Sequence, residues 1–460
     1  MNYLDYINSN KERYLDELKQ FLSIPSVSTD PKHKHDVRAC AEFVEKKLTE
    51  AGLENVKVYE TGGHPLVYGD WLYAGDDKPT VLIYGHYDVQ PVDPLELWNA
   101  PPFSPTIKGD KIFARGASDD KGQVFIHVKS IESYLKTKGN LPINVKIIVE
   151  GEEEIGSDHL DSFIESNKSL LGCDFVLVSD TAMYQPGLPA ICYGLRGLVY
   201  MEVNVTGPNR DLHSGAFGGA VDNPANALAH IISRLKDLNG EILIPGFYDD
   251  VKELTDDERE EFRKLPFNEE KFKDDLGVED VFGEKGYTTL ERKSARPTLD
   301  VNGIWGGFQG EGAKTVLPSK AGAKISMRLV PDQDPDKIQN LFTDYIKSIA
   351  AKSVKVEISG THNAKPAITP IDSDEINAAK VALKRSFGVE PVFIREGGSI
   401  PVVNTFQELL NAPTILIGFG LNDENIHSPN EHFDLNNFYK GIESISFYFE
   451  ELGKLNYSNK

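Results

Sequence analysis

No stretch of this chain constrains its fold more than Ile143-Asn144-Val145-Lys146-Ile147-Ile148-Val149, an apolar run that stops at Glu150-Gly151-Glu152-Glu153-Glu154. A short, β-branched run bounded in this way reads as a buried strand, which places the acids at its carboxyl end. Carboxylates crowded together repel one another unless a cation or proton intervenes. The pattern recurs. Thr80–Tyr84 runs into Gly85-His86-Tyr87-Asp88, Phe175–Ser179 ends at Asp180, and His427 follows the apolar stretch Thr414–Gly418. Asp119 precedes a helix whose apolar face is Val124, Phe125, Val128, Ile131 and Leu135. Alternating buried strands and helices predict an α/β domain with a mostly parallel sheet and helices on both faces.

The character changes after Gly197. Val199, Met201, Val203 and Val205 alternate with more polar residues, as in a half-exposed strand. A helix over 223–238, strands near 298–305 and 321–330, a helix over 335–351 and a strand over 354–359 follow. The order β-α-β-β-α-β is that of a ferredoxin-like layer. The predicted organisation is therefore an α/β domain over 1–197 and 366–460, interrupted by an α+β domain over 198–365. Further helices are expected over 4–22, 36–51, 372–387 and 437–452. The acidic stretch 247–293 reads as a surface excursion with short helices.

A chain of 460 residues fits more than one domain, and its formal charge of −22 argues against nucleic acid or an anionic membrane as partner. Cys40, Cys173 and Cys192 have no paired metal spacing and an odd count, which points to free thiols in a reducing compartment. The first twenty residues lack the apolar core of a secretory signal, and no apolar run approaches membrane-spanning length. A cytoplasmic location is expected.

His86 with Asp88, Asp119, Glu153 with Glu154, Asp180 and His427 all fall at or just after predicted strand ends or loop ends, which share one rim in an open α/β sheet. Taken singly, each is an ordinary surface charge or a satisfied histidine. Together they are too many ligands for one tetrahedral zinc. Two imidazoles around a shared carboxylate suit a pair of divalent ions about 3.5–4 Å apart.

The segments Gly85-His86-Tyr87-Asp88-Val89-Gln90-Pro91, Arg115-Gly116-Ala117-Ser118-Asp119-Asp120-Lys121-Gly122 and Glu150–Gly156 closely resemble the aminoacylase–carnosinase family of dinuclear metallopeptidases. Val178-Ser179-Asp180, Asp211-Leu212-His213-Ser214-Gly215, Arg395-Glu396-Gly397-Gly398-Ser399 and Ile426-His427-Ser428 extend the likeness over nearly the whole chain, closest to the cytosolic dipeptidase and carnosinase branch. The resemblance implies that His86, Asp119 and Asp180 hold one metal, and that Asp119, Glu154 and His427 hold a second. It makes Glu153 the general base for the attacking water and Asp88 the group that orients His86. It also implies a cis peptide between Asp119 and Asp120.

By the same resemblance, His213 reaches the partner subunit's site in a homodimer built through the inserted lid domain and stabilises the oxyanion. Arg328 clamps the substrate carboxylate, with Thr315, His362, Gly398 and Ser399 lining the pocket. Two divalent ions per subunit are implied, zinc first, with manganese or cobalt as alternatives that imidazole and carboxylate ligands also accept. The expected reaction is peptide-bond hydrolysis in dipeptides or short peptides. An N-acyl-amino-acid deacylase is the nearest rival, and a non-catalytic metal-binding scaffold the rival of another class.

Overall fold

The structure, a computed structural model, describes residues 2–398 and 400–457, with the side chains of Thr361 and His362 left aside. It divides into two compact units. One comprises Met1–Tyr193, Thr369–Ile394 and Val402–Lys460; the other comprises Gly194–Ile368 and Arg395–Pro401. The divisions fall at 193/194 and 368/369, where the sequence pattern placed them at 197/198 and 365/366, and residues 395–401 group with the second unit.

The sheet of the first unit runs Glu54–Tyr59, Leu66–Trp71, Asn144–Glu150, Thr80–His86, Phe175–Val178, Thr414–Leu416 and Ala190–Leu195. Its four central strands, from Asn144–Glu150 to Thr414–Leu416, are parallel. The strands outside them run antiparallel. Alternation along Thr80–His86 shows why the sheet is covered twice. Val81 and Ile83 join the core shared with the helices Lys34–Ala51, Lys121–Lys138 and Leu435–Leu452. Tyr84 meets Phe406, on the helix Pro401–Leu409, edge to face. Each fully buried apolar side chain stabilises the layer by about 1.5–3 kcal/mol. The expected α/β architecture is present, and parallel strands put four carboxyl ends on one rim.

Local chemistry moved some boundaries. The helix expected over 4–22 is two, Tyr3–Ser9 and Lys11–Leu22. Asn10 leaves helical geometry at φ −112°, ψ 8°, and its side-chain amide donates to the Tyr6 carbonyl at 2.8 Å. This is the local competition that makes Asn a poor helix-interior residue. The helix expected to reach 238 ends at Ser233. The strand Ala190–Leu195, the helix Pro401–Leu409 and a small sheet of Thr106–Lys108, Lys111–Phe113 and His432–Asp434 carried no clear sequence signal.

The second unit holds four antiparallel strands in the order Thr298–Gly306, Lys320–Leu329, Gly197–Thr206, Lys355–Ala364. With the helices Pro224–Ser233 and Pro335–Ile349 this is the ferredoxin-like arrangement. Val199, Met201, Val203 and Val205 point into its core. The acidic excursion carries Asp256–Lys264, Glu269–Leu276 and Thr289–Ser294. Capping boxes at Thr255/Glu258 and Thr288/Glu291 start the first and last of these. Among the described residues no helix is long and apolar enough to cross a membrane.

Candidate metal centre

The four other predicted ligands converge on Asp119. Its Oδ1 lies 3.0 Å from His86 Nε2 and its Oδ2 lies 2.8 Å from His427 Nε2. His427 Nε2 is also 3.3 Å from Glu154 Oε2. Ligand atoms on one tetrahedral ion with bonds near 2.05 Å are roughly 3.3 Å apart, so groups this close could share a cation as well as hydrogen-bond to one another. The described residues form two such groups, His86–Asp119–Asp180 and Asp119–Glu154–His427, each with ligand atoms within 4.8 Å of one another. The donors are imidazole and carboxylate only, a set that fits divalent zinc, manganese or cobalt.

The backbone explains how a sequence so far apart meets. His86 closes the strand Thr80–His86, Glu153 and Glu154 follow Asn144–Glu150, and Asp180 follows Phe175–Val178. Asp119 ends the loop before the helix Lys121–Lys138, and the Asp119–Asp120 peptide is cis, as the resemblance implied. His427 adopts φ +60°, a left-handed conformation uncommon for a residue with a side chain. Gly85 is required by space: a Cβ there would meet Val124 Cγ2 at 2.4 Å and Asp120 Oδ2 at 2.7 Å.

The acidic cluster sorts itself by partner. Glu150 accepts from the Tyr84 hydroxyl at 2.6 Å and the Ser157 hydroxyl at 2.9 Å. Glu152 accepts from the His64 amide at 2.9 Å. That leaves Glu153 and Glu154 for the centre. Asp88 differs in detail from expectation. The His86 Nδ1 hydrogen bond goes to the Asp88 carbonyl at 3.1 Å, with the carboxylate at 3.4 Å. The Asp88 carboxylate instead accepts the backbone amides of Glu153 and Glu154, at 3.2 and 3.1 Å. It anchors the loop that carries both acids.

Two buried acids escaped the sequence reading. Glu431 accepts the amides of Gly116, Ser118 and Asp119 at 2.9–3.2 Å and pairs with Arg115 at 2.8 Å. Glu424 accepts from the Ser118 hydroxyl at 2.5 Å and the amides of Leu421 and Asp434 at 2.9 Å. Together they shape the loop that presents Asp119. The only signal for them was proximity to His427 in sequence.

The electrostatics follow from imidazoles and carboxylates packed against one another. The hydrogen bonds from His427 to Asp119 and Glu154 raise its imidazole to about 10. Burial opposes the charged form of His86, but the bonds to Asp119 and Asp88 outweigh it and hold it well above the ordinary range. Burial and the facing carboxylates of Asp119 and Asp120 push Asp180 well up. Burial, then the charges of Glu154, Asp119 and Asp88, raise Glu153 to about 7 against the pull of His86.

The other predicted residues belong to the second unit. His213, exposed, pairs with Val316, and its Nδ1 accepts the Gly215 amide at 3.0 Å, which leaves Nε2 as its donor. The Thr315 carbonyl accepts the Ser214 amide at 3.1 Å. Arg328 sits in the strand Lys320–Leu329, opposite Thr298 and Leu198, where burial lowers its guanidinium. The Gly398 carbonyl accepts the Arg196 amide at 3.1 Å. Ser399 lies outside the described residues, and so does the side chain of His362.

The sequence model of Peptidase family M20/M25/M40 matches residues 82–451. The chain is 36% identical to the Cys-Gly metallodipeptidase dug1 of Schizosaccharomyces pombe, over 98% of both chains. It is 32% identical to the human Beta-Ala-His dipeptidase, over 98% of this chain and 92% of that one. Among solved structures, the M20 family metallo-carboxypeptidase Sso-CP2 of Sulfolobus solfataricus superposes with a TM-score of 0.85 at 35% identity, covering 96% of this chain and 99% of its own. Human carnosine dipeptidase 1 superposes with a TM-score of 0.83 at 31% identity, covering 98% of each chain. With a family match over most of its length and full-length relatives above 30% identity, the chain belongs to peptidase family M20/M25/M40.

Proposed function

We propose that the chain is a metal-dependent dipeptidase that cleaves the peptide bond of dipeptides or short peptides. The observation that carries this reading is Asp119 lying between His86 and His427 with Glu153 beside them. His86, Asp119 and Asp180 would hold one divalent ion, and Asp119, Glu154 and His427 the other. Such ions, zinc first, with manganese or cobalt as alternatives, polarise the scissile carbonyl and lower the pKa of water. Glu153, raised to about 7, takes a proton from the attacking water near neutral pH and hands it to the leaving amine. Asp88 keeps that base in place through the Glu153 amide.

His213 donates from Nε2 to the developing oxyanion, and does so in the partner's site of a homodimer. Arg328 binds the substrate carboxylate, for which a guanidinium fork is well matched. Thr315 and Gly398 belong to the same pocket in this reading. The three free cysteines suit a reducing compartment such as the cytoplasm. The names of the S. pombe and human relatives support a dipeptide over an acylated amino acid. An assay of metal-loaded protein on Ala-Leu-type dipeptides beside N-acetylated amino acids decides between them. Turnover of the dipeptides is expected; preference for the acetylated set would make the chain a deacylase.

Metal and protons compete for the same atoms. His427 is raised from 6.5 to about 10 in the metal-free fold, so its contribution to metal-free stability is full below the lower value and lost through the upper one. Metal affinity runs the other way and rises with pH across that window, because binding must expel the imidazole protons. Calorimetric titration in buffers of different ionisation enthalpy should show proton release at neutral pH. Affinity independent of pH between about 6 and 8 would contradict this.

A further inference from the structure

We propose that the acidic excursion is a brace for the glycine loop Gly397–Gly398, with Glu258 as its positioning residue. The inference rests on the reading that this loop meets the substrate carboxylate. Every contact that follows lies within the second unit. Arg395, which leads into the loop, donates from Nη2 to Glu258 Oε1 in a shielded ion pair. The other oxygen of Glu258 caps its own helix, accepting the Thr255 amide at 3.0 Å. The neighbouring Arg259 reaches Glu291 at 3.0 Å, which ties the helix Asp256–Lys264 to Thr289–Ser294.

The ring closes on the loop itself. A Cβ on Gly397 would lie 2.8 Å from the Lys293 carbonyl and 2.7 Å from Arg196 Nη2, so only glycine sits this close to the end of the third excursion helix. Arg196 donates from Nε to the Gly397 carbonyl at 3.1 Å and from its amide to the Gly398 carbonyl at 3.1 Å. Its Nη1 reaches the Arg296 carbonyl at 3.4 Å. The loop carbonyls are thus held by Arg196, while the excursion packs close to Gly397 at Lys293 and grips Arg395, at the base of the loop, through Glu258. A solvated acidic loop has no need of such ties. Glu258 is also unlike the acids around it, since neighbouring Asp256, Asp257 and Glu260 are exposed while it is half-buried.

Glu258→Gln keeps the shape and a capping oxygen but removes the negative charge that Arg395 faces on the excursion. Amide hydrogen exchange in the segment 396–401 should accelerate about tenfold, with exchange around 80–90 and metal content unchanged. KM for dipeptides should rise about tenfold with little change in kcat, the scale of one charge-assisted contact. Dipeptide amides, which lack the carboxylate, should show no such rise. Arg395→Gln, which leaves the Thr255–Glu258 cap in place, should reproduce both readouts. Unchanged exchange in 396–401 overturns the brace. Faster exchange with equal KM shifts for dipeptides and their amides keeps the brace and overturns the carboxylate reading of the loop.

Discussion

Glu153→Gln is expected to lower kcat by roughly 10²–10⁴-fold while fold and metal content stay intact. The amide preserves the size of the side chain, and the Glu153 backbone bond to Asp88 is untouched by the change. What disappears is a group raised to about 7, able to accept a proton from water and release it again near neutral pH. The residue sits next to Glu154, a proposed ligand, so metal analysis has to accompany the kinetics. Asp119→Ala supplies the contrast: it removes the oxygens facing both His86 and His427, and should lose metal together with activity. Near-normal turnover of Glu153→Gln at full metal occupancy would remove Glu153 from the proton-transfer role.

His213→Ala should cost about 10²–10³-fold in kcat, the scale of one oxyanion donor. The Gly215 amide fixes which imidazole nitrogen is free to donate. If His213 acts in the partner's site, two inactive proteins rescue each other. In a mixed dimer the His213→Ala chain keeps its own Glu153 and receives an intact His213 from the Glu153→Gln chain. Random pairing makes about half the dimers mixed, each with one complete site, so roughly a quarter of wild-type activity should return. Action within one chain predicts no recovery, because every site then carries one lesion. Absence of recovery with confirmed subunit exchange would refute the trans arrangement.

The meeting of His86, Glu153, Glu154 and Asp180 on one rim was legible because it follows from strand endings. A buried apolar run that stops at His86, Glu150 or Asp180 reports both the strand and the rim, and parallel pairing brings those ends together. The antiparallel layer was legible from the alternation of Val199, Met201, Val203 and Val205. Glu424 and Glu431 were not legible, since a buried carboxylate in a loop looks like a surface one until its amide donors are seen. The division of labour at Asp88 was hidden for the same reason. Residue types told that an acceptor stood beside His86, but not that its carboxylate would be spent on the amides of Glu153 and Glu154. The break at Asn10 reflects a side-chain amide competing with the backbone, which apolar spacing alone does not register.

The clamp of Glu424 and Glu431 on the Asp119 loop has a consequence for the order in which the molecule becomes a hydrolase. Translation delivers His86, Asp119, Glu154 and Asp180 first, then the whole of the ferredoxin-like layer, and only afterwards the stretch that brings Glu424, His427 and Glu431. Until that stretch emerges, Asp119 lacks both a facing imidazole and the carboxylates that shape its loop. A nascent chain lacking that stretch, however well its early strands have paired, has neither the imidazole that faces Asp119 from this side nor the carboxylates that hold its loop.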